Sequence, residues 1–417
     1  MATVIASHVA HSRLDPVAAA RGSAAAPGCE RFAISPVQFN FSTQSPDASV
    51  DELRLEVRGF LAQARKSELF RPVCSGWTVA DPNFSRHCGE RGFIGLTWPK
   101  AYGGRELSTI HRLAVCEEFL AAGAPVGAHW IADRQSGPQI IRHGSPILAQ
   151  RVLPAVARGE TYFCIGMSEA GAGSDLAAIR SRAHRVPGGW RLEGSKTWTT
   201  NAHIADYMIG LFRTSPWSAE NRHADLTQLI VPMKAPGVRV TPIRSYADTH
   251  AFSEVHLAGV FVPDENVIGA PGEGWRLVTS ELGLERSGPE RFLSVFPLLD
   301  AACHSTGLER SRKAAAALGR LVAHIATLRE MSLSVAQALN QGREVSTEAA
   351  LVKDLGNTLE QEIPRILRHC GAELLLCGGR DFSELLLHAT LEAPSYTIRG
   401  GTPQILHGII ARALGMR

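Results

Sequence analysis

Apolar and polar positions along the chain fall into three successive regimes. Leu53, Val57, Phe60, Leu61 and Ala64 recur at intervals of three and four, which predicts one apolar stripe on a helix beginning near residue 49. Ser49 and Glu52 have the spacing of a capping box and mark its expected start. After the breaker-rich stretch Gly92–Gly104, residues 107–122 and 145–158 read as further helices. At Thr161 the character changes to short runs rich in Val, Ile, Thr and aromatic residues, separated by turn residues. Val186-Pro187-Gly188-Gly189 links two such runs as a hairpin would, and more follow at 207–213, 226–233, 237–243 and 251–262. From Trp275 helical periodicity returns, with helices expected over about 275–303, 310–341, 345–377 and 403–414. Leu318, Leu321, Ile325, Leu328, Leu333 and Leu339 mark the second of these as long and amphipathic. The expected order is a helical domain over 48–160, a β domain over 161–274 and a second helical domain over 275–417, without an internal repeat.

A chain of 417 residues is long enough for more than one folding unit, since single cores rarely grow past about 250–300 residues. A net charge of +3 is too small to point to nucleic acid or a membrane surface, although local basic patches for a phosphorylated ligand remain open. No apolar run approaches the roughly 18–20 residues that span a bilayer. The eight cysteines, Cys29, Cys74, Cys88, Cys116, Cys164, Cys303, Cys370 and Cys377, are scattered without a Cys-x-x-Cys pair. That argues against a zinc site or a disulfide framework and fits a reducing cytoplasm. Residues 1–47 are rich in Ala, Ser and Pro and lack the apolar core of a secretory signal. They read as a flexible extension, with a transit peptide as the competing reading because they carry Arg13, Arg21 and Arg31.

Two polar, Gly-rich turns stand out in the β region. One is Met167-Ser168-Glu169-Ala170-Gly171-Ala172-Gly173-Ser174-Asp175; the other is Gly194-Ser195-Lys196-Thr197-Trp198-Thr199-Thr200-Asn201-Ala202. Gly171 and Gly173 let the backbone approach a ligand closely. Ser168, Ser174, Thr199 and Thr200 offer hydroxyls, and Trp198 offers a broad flat face for stacking. Against this stands the bland reading of Trp198 as filler in the β core.

This ordered pair closely resembles the flavin-binding middle domain of the acyl-CoA dehydrogenase family, with Ala170 where that family usually has Pro. The loop Gly92–Gly104, the turn His143-Gly144-Ser145 and the segments Phe252–Val255, Val262-Pro263 and Asn266–Gly269 are also similar to it, so the resemblance covers residues 50–417. It implies an α+β multidomain fold: an N-terminal α-helical domain, a middle β-barrel or sandwich domain and a C-terminal four-helix bundle. It also implies FAD as cofactor and oxidation of an acyl-CoA thioester to the 2,3-enoyl-CoA. A carboxylate would remove the α proton while the β hydrogen leaves as hydride to flavin N5. An electron-transfer flavoprotein would be the acceptor, and the assembly a homodimer or homotetramer, cytoplasmic or in the mitochondrial matrix of a eukaryote.

The resemblance assigns Met167, Ser168, Trp198, Thr200, Thr402 and Gln404 to the cofactor, and Ser174, Arg286 and Gly400 to the substrate. Thr402-Pro403 is also a good helix start, with Thr capping and Pro at the first helical position. The chain departs from the pattern in two places. Many members carry the base in a C-terminal Glu-Gly-Thr, whereas this chain reads Arg399-Gly400-Gly401-Thr402. A minority keeps it on the first long helix of the terminal domain in text similar to Leu282-Gly283-Leu284-Glu285-Arg286, which makes Glu285 the candidate base and Glu281, one turn earlier, its rival. No metal ligand set is expected. The Arg-x-x-Phe-Gly segment for the FAD pyrophosphate is not recognisable; Arg310 or Arg312 would have to substitute. Arg399 is read as a surface or structural cation, with pairing to an acidic acyl tail as the alternative. Gly378-Gly379 is read as a tight turn, although the family uses a similar pair near a neighbouring subunit's flavin. Two other functions fit the scaffold: a flavin monooxygenase, which would need no α-proton base, and a non-catalytic partner subunit of a heteromeric dehydrogenase.

Overall fold

In the computed structural model, residues 39–216, 220–247, 250–305, 311–370 and 379–416 are described, without the side chains of 281–285, 379 and 380. The N-terminal stretch read as an extension lies almost wholly outside them. The first helix, α1, spans Ala48–Lys66 and buries Leu53, Val57, Phe60, Leu61 and Ala64, the stripe read from the sequence. Its cap differs from the expected one. Asp47, not Ser49, sits at the N-cap, and its carboxylate accepts from the Ser49 backbone N–H at 2.6 Å. An aspartate one residue ahead of the helix satisfies that orphan donor, so the capping box does not form.

Then follow α2 (Pro82–Glu90), α3 (Thr109–Ala121), α4 (Gly127–Ile131), α5 (Gly137–His143) and α6 (Pro146–Ala157). A single π turn, Ala132–Ser136, joins α4 to α5. Its wider winding breaks the 3.6-residue period, which hid this region from a periodicity reading. Phe60, Phe70, Phe84, Phe93 and Phe119 form one aromatic cluster, with neighbouring ring centroids between 5.2 and 6.5 Å apart. Arg54 of α1 bridges Glu117 and Glu118 of α3, fixing the two helices with partly buried charges.

The strands are β1 Phe163–Gly166, β2 Arg182–Val186, β3 Gly189–Thr200, β4 Tyr207–Arg213, β5 Leu226–Pro232, β6 Val238–Ile243, β7 Phe252–Pro263 and β8 Val267–Ile268. They form one eight-stranded sheet in the order β6-β7-β3-β2-β4-β5-β8, with β1 pairing β4 in parallel. The hairpin between β2 and β3 has Val186 opposite Gly189, leaving Pro187-Gly188 as its turn; Gly188 takes φ +77°, which a side chain would resist.

The C-terminal helices are α7 (Gly274–Glu285), α8 (Phe296–Cys303), α9 (Arg312–Asn340), α10 (Ser346–His369), α11 (Gly379–Glu392) and α12 (Pro403–Ala413). The helix expected over 275–303 is in fact two, separated by a 3-10 turn at Pro289–Arg291. Gly288 and Pro289 together account for the break, since Gly weakens a helix and Pro forces its predecessor out of helical geometry. In α9, Leu318, Leu321, Ile325, Leu328 and Leu333 are buried as the pattern requires. One continuous apolar core runs through both helical regions and reaches the sheet at Phe163, Ile209, Ile230 and Ile268.

Phe84 is fully buried at the centre of the aromatic cluster. Phe84→Ala should lower the unfolding free energy by about 3–5 kcal/mol, through lost burial and the cavity left behind. Urea titration of the two proteins measures it; a loss below about 1 kcal/mol would mean that the cluster closes around the gap.

Candidate functional site

The two Gly-rich turns lie side by side. The segment leaving β1 runs against the end of β3, where the Thr197 backbone N–H donates to the Ser168 carbonyl at 2.9 Å. Beneath them Lys196, fully buried, donates to Glu169 Oε1 at 2.8 Å and to the Met167 carbonyl at 3.3 Å. Glu169 also accepts from the backbone N–H groups of Arg180 at 2.6 Å and Ser181 at 3.0 Å. Burial is the largest influence on both ions. It takes the Lys196 ammonium down to about 8, against the pull of Glu169. On Glu169 burial is outweighed by Lys196 and the backbone donors, so that carboxyl sits below its ordinary value. Near neutral pH the pair is charged. Neither residue was singled out in the sequence. The signal available was a charged residue in each motif, one Glu and one Lys, with a partner of opposite sign in the other.

Above this pair Trp198 points outward. The pairing of β3 with β7 slips between Lys196 and Thr199, and within the slip Trp198 takes φ +56°. A bulky residue with positive φ is a conformational outlier, and such irregularities re-aim side chains at functional sites. Trp198 is 60 % exposed, which overturns the reading of core filler. Its ring meets Phe252 edge-on, with centroids 5.9 Å apart, and leaves its broad surface largely uncovered. The hydroxyls of Ser168 and Thr200 are half-buried, and neither has a hydrogen-bond partner among the described residues. Thr199, by contrast, is fully buried, so its hydroxyl does not face a ligand. Gly171 and Gly173 meet no protein atom within 4 Å of where a Cβ would stand, and Ser174 beside them is exposed. The residues fit a large planar cofactor: an open aromatic surface, two free hydroxyls and a loop that the protein itself does not cover.

On the helical side, α7 ends at Glu285 and Arg286 follows as its C-cap. The side chains of Glu285 and Glu281 lie outside the described residues; the helix that carries them is described. Arg286 Nε donates to the Gly400 carbonyl at 3.5 Å, and fully buried Lys353 donates to the next carbonyl, Gly401, at 2.8 Å. Gly400 and Gly401 take φ +65° and +111°, backbone that a residue with a Cβ enters only under strain. Arg399 turns inward. It pairs with buried Glu360, donates to Ser294 Oγ at 3.2 Å, and lies 4.7 Å from the Tyr396 ring centroid and 4.8 Å from that of Trp77. Its role is structural, and it is not placed to meet an acyl tail. Thr402 stands at the N-cap of α12 with Pro403 at the first helical position, but its hydroxyl makes no capping bond, contrary to expectation. The Thr402 hydroxyl is therefore not spent on the helix. Gln404 is exposed on the first turn of α12. Arg312 is exposed at the start of α9, and Arg310 and Gly378 lie outside the described residues.

A cavity of about 240 Å³ opens between the N-terminal helices, α7 and α9, lined by Trp98, Arg112, Trp130, Arg134, Ser280 and Leu339 among others. Arg134 reaches Glu290 at 2.5 Å and lies over the Trp130 ring, 4.7 Å from its centroid. A larger, shallower cleft of about 550 Å³ lies between His143–Ser145 and the β2–β3 hairpin, and no residue of either motif lines it.

Family models describe the same architecture. The acyl-CoA dehydrogenase N-terminal, middle and C-terminal domain models match residues 49–160, 164–260 and 310–415. The chain belongs to the acyl-CoA dehydrogenase family. Among curated relatives it is similar to acyl-CoA dehydrogenase FadE34 of Mycobacterium tuberculosis, at 32% identity over 78% of this chain and 45% of FadE34. It is also similar to acyl-CoA dehydrogenase IpdE1 of the same organism, at 35% identity over 57% of this chain and 63% of IpdE1. The chain thus spans about half the length of the curated relatives it matches. Among solved structures, the ChsE4-ChsE5 complex from Mycobacterium tuberculosis matches at 28% identity with a TM-score of 0.76, over 90% of this chain and 100% of that chain. A variant of the Tcur3481-Tcur3483 steroid ACAD matches at 25% identity with a TM-score of 0.77, over 89% and 99%.

Removing one partner of a buried ion pair strands the other charge. Glu169→Gln should therefore cost about 3–5 kcal/mol of stability, and the double variant Glu169→Gln/Lys196→Met should recover most of it. Because the Glu169 carboxyl is held below its ordinary value, its contribution is present above about pH 4.3 and is lost as pH falls through the folded value. Melting temperatures of the three proteins between pH 3 and 7 check both points: the wild type should lose its advantage over Glu169→Gln on the acid side. A double variant no more stable than the single one would contradict the assignment.

Proposed function

We propose that the chain carries out FAD-dependent α,β-dehydrogenation of an acyl-CoA thioester, giving the trans-2-enoyl-CoA. The observation that carries this reading is the convergence of the two motifs under an outward-facing Trp198, on the same chain in which the end of α7 docks on the Gly400 turn. In this reading the domains divide at 48–160, 161–274 and 275–417, and residues 1–47 are an extension.

FAD, when bound, supplies the hydride acceptor. Trp198 would hold its ring system, the Ser168 and Thr200 hydroxyls would bond its polar edge beside the Met167 backbone, and Thr402 and Gln404 would contribute from the terminal domain. Ser174, on the open loop, contacts the CoA portion. Glu285 takes the α proton. An ordinary glutamate near pKa 4.3 is a weak base for a C–H bond, so the reaction requires that water be excluded as substrate enters. The Gly400 backbone N–H bonds the thioester oxygen as enolate charge develops, and Arg286 holds the turn that carries this donor. With Gly400 in place of a carboxylate, the tail contributes a backbone donor while the helix contributes the base. Electrons leave to an electron-transfer flavoprotein, and the working form is a cytoplasmic homodimer or homotetramer.

Two departures favour a second reading. Gly400 and the missing Arg-x-x-Phe-Gly segment together suit a non-catalytic partner subunit in a heteromeric dehydrogenase. Such a chain would purify colourless and associate tightly with a homologous one.

The test is anaerobic bleaching of the yellow chromophore by a panel of acyl-CoAs. Wild type should bleach with a subset, and Glu285→Gln should slow bleaching by at least about 10²-fold while retaining its flavin, the loss expected for a general base. Unchanged bleaching in the variant would remove Glu285 from the chemistry and point to Glu281. A colourless wild-type protein would favour the partner-subunit reading.

A further inference from the structure

Gly400 and Gly401 form a turn with no shape of its own to impose. Glycine has the widest backbone freedom of any residue, and two in succession can point their N–H groups in many directions. Here the segment is pinned from both sides. Behind it, Arg286 and Lys353 hold the carbonyls of Gly400 and Gly401. Ahead of it, Arg399 is held by its side chain. The guanidinium pairs with Glu360 and donates to the Glu290 carbonyl at 3.3 Å and to Ser294 Oγ at 3.2 Å. The Gly400 N–H shares one peptide plane with the Arg399 carbonyl, so it stands between the two sets of pins. It has no acceptor among the described residues.

Glu360 is the far anchor of this arrangement. It is fully buried on α10, and its second oxygen accepts from the Ser294 backbone N–H at 2.8 Å. One carboxylate thus joins Arg399 to the link between the 3-10 turn Pro289–Arg291 and α8. Glu360 and Lys353 stand seven residues apart, two turns along one face of α10, and act on the residues either side of Gly400. An apolar pair of similar volume would fill this interior without desolvating two ions, often at equal or greater stability. What the ion pair adds is direction, because a guanidinium fork meets a carboxylate at fixed angles.

We propose that Glu360, acting through Arg399, is a positioning residue that aims the Gly400 N–H at the thioester oxygen. The inference rests on the dehydrogenase reading, in which that N–H stabilises the enolate charge. Such a donor is effective when its direction is set before charge develops, since no reorganisation is then needed during the reaction. Neither Glu360 nor Arg399 touches the substrate; their effect reaches it through one peptide plane.

The experiment follows exchange of the thioester's α hydrogen for deuterium in D2O by mass spectrometry, with isovaleryl-, octanoyl- and palmitoyl-CoA. The protein is first reduced with dithionite, so hydride transfer is blocked and only removal and return of the α proton is read. Glu360→Gln should slow exchange by about ten- to a hundredfold, less than the outright loss of an oxyanion donor. It should lower kcat for flavin reduction by the same factor and change the thioester's dissociation constant by less than about threefold. Arg399→Lys, which keeps the charge without the fork, should fall between it and wild type. Phe84→Ala, which costs stability in the N-terminal core, should exchange at the wild-type rate. Wild-type exchange in Glu360→Gln, equal slowing in Phe84→Ala, or no exchange in wild type overturns the proposal. Should Glu360→Gln not fold, Arg399→Lys decides alone, and exchange at the wild-type rate there overturns it. Exchange that depends on Glu360, in a protein whose oxidised flavin no thioester bleaches, would uphold the positioning role and sink the dehydrogenase reading. Bleaching of wild type with unchanged exchange in the variants would do the reverse.

Discussion

The contact between Glu169 and Lys196 is the constraint on which the rest of the site depends. Each motif is a polar turn on its own, with no reason to hold one shape. Joined across the interior, they become one surface. Lys196 holds both a carboxylate and the Met167 carbonyl of the first turn, so the backbone that would face a cofactor is fixed from below. Glu169 in turn gathers two backbone N–H groups from the approach to β2, leaving its charge fully engaged. A buried pair of this kind adds little net stability, because desolvation offsets most of its Coulomb attraction. What it supplies is register: a shift of either turn would strand a charge away from water.

A second group of ions does comparable work at the tail. Arg286 and Lys353 donate to the carbonyls of two consecutive residues, Gly400 and Gly401, and Arg399, just ahead of them, pairs with Glu360. The two glycines have left-handed backbone, which keeps side chains off the turn. Arg399 is the residue that a sequence reader notices as odd. Its burial against Trp77 and Tyr396 shows where the oddity went: into bracing the terminal helices.

The legibility of the fold varied with the regularity of the signal. The stripe of α1 and the long face of α9 stood out because apolar residues there repeat at the helical period, and the four strands from β4 to β7 because runs rich in Val, Ile, Thr and aromatic residues stand between turn residues. The helices around the π turn Ala132–Ser136 did not, since one wide turn destroys the phase. The N-cap of α1 was misassigned by two residues because Asp47 and Ser49 both have capping chemistry, and only the chain path decides between them. At the site, residue types were readable and partnerships were not. The outward face of Trp198 follows from a register slip in β3 that no local pattern announces. The union of Lys196 with Glu169 follows from two turns meeting across the sheet.

These partnerships also give a physical reason why the proposed base can stand on the helix rather than on the C-terminal turn. A proton acceptor must reach one point in space, whereas its backbone can start from any element that borders that point. Here the end of α7 and the Gly400 turn border each other through Arg286, so either could present a carboxylate to a common neighbour. Putting it on the helix frees the turn to be glycine. Glycine accepts the φ of +65° without the strain of a Cβ, and its N–H remains available as a donor. A carboxylate on both elements would set like charges close together and raise the cost of ionising either one. The absence of an acid at Gly400 is therefore what a base at the end of α7 requires of its neighbour.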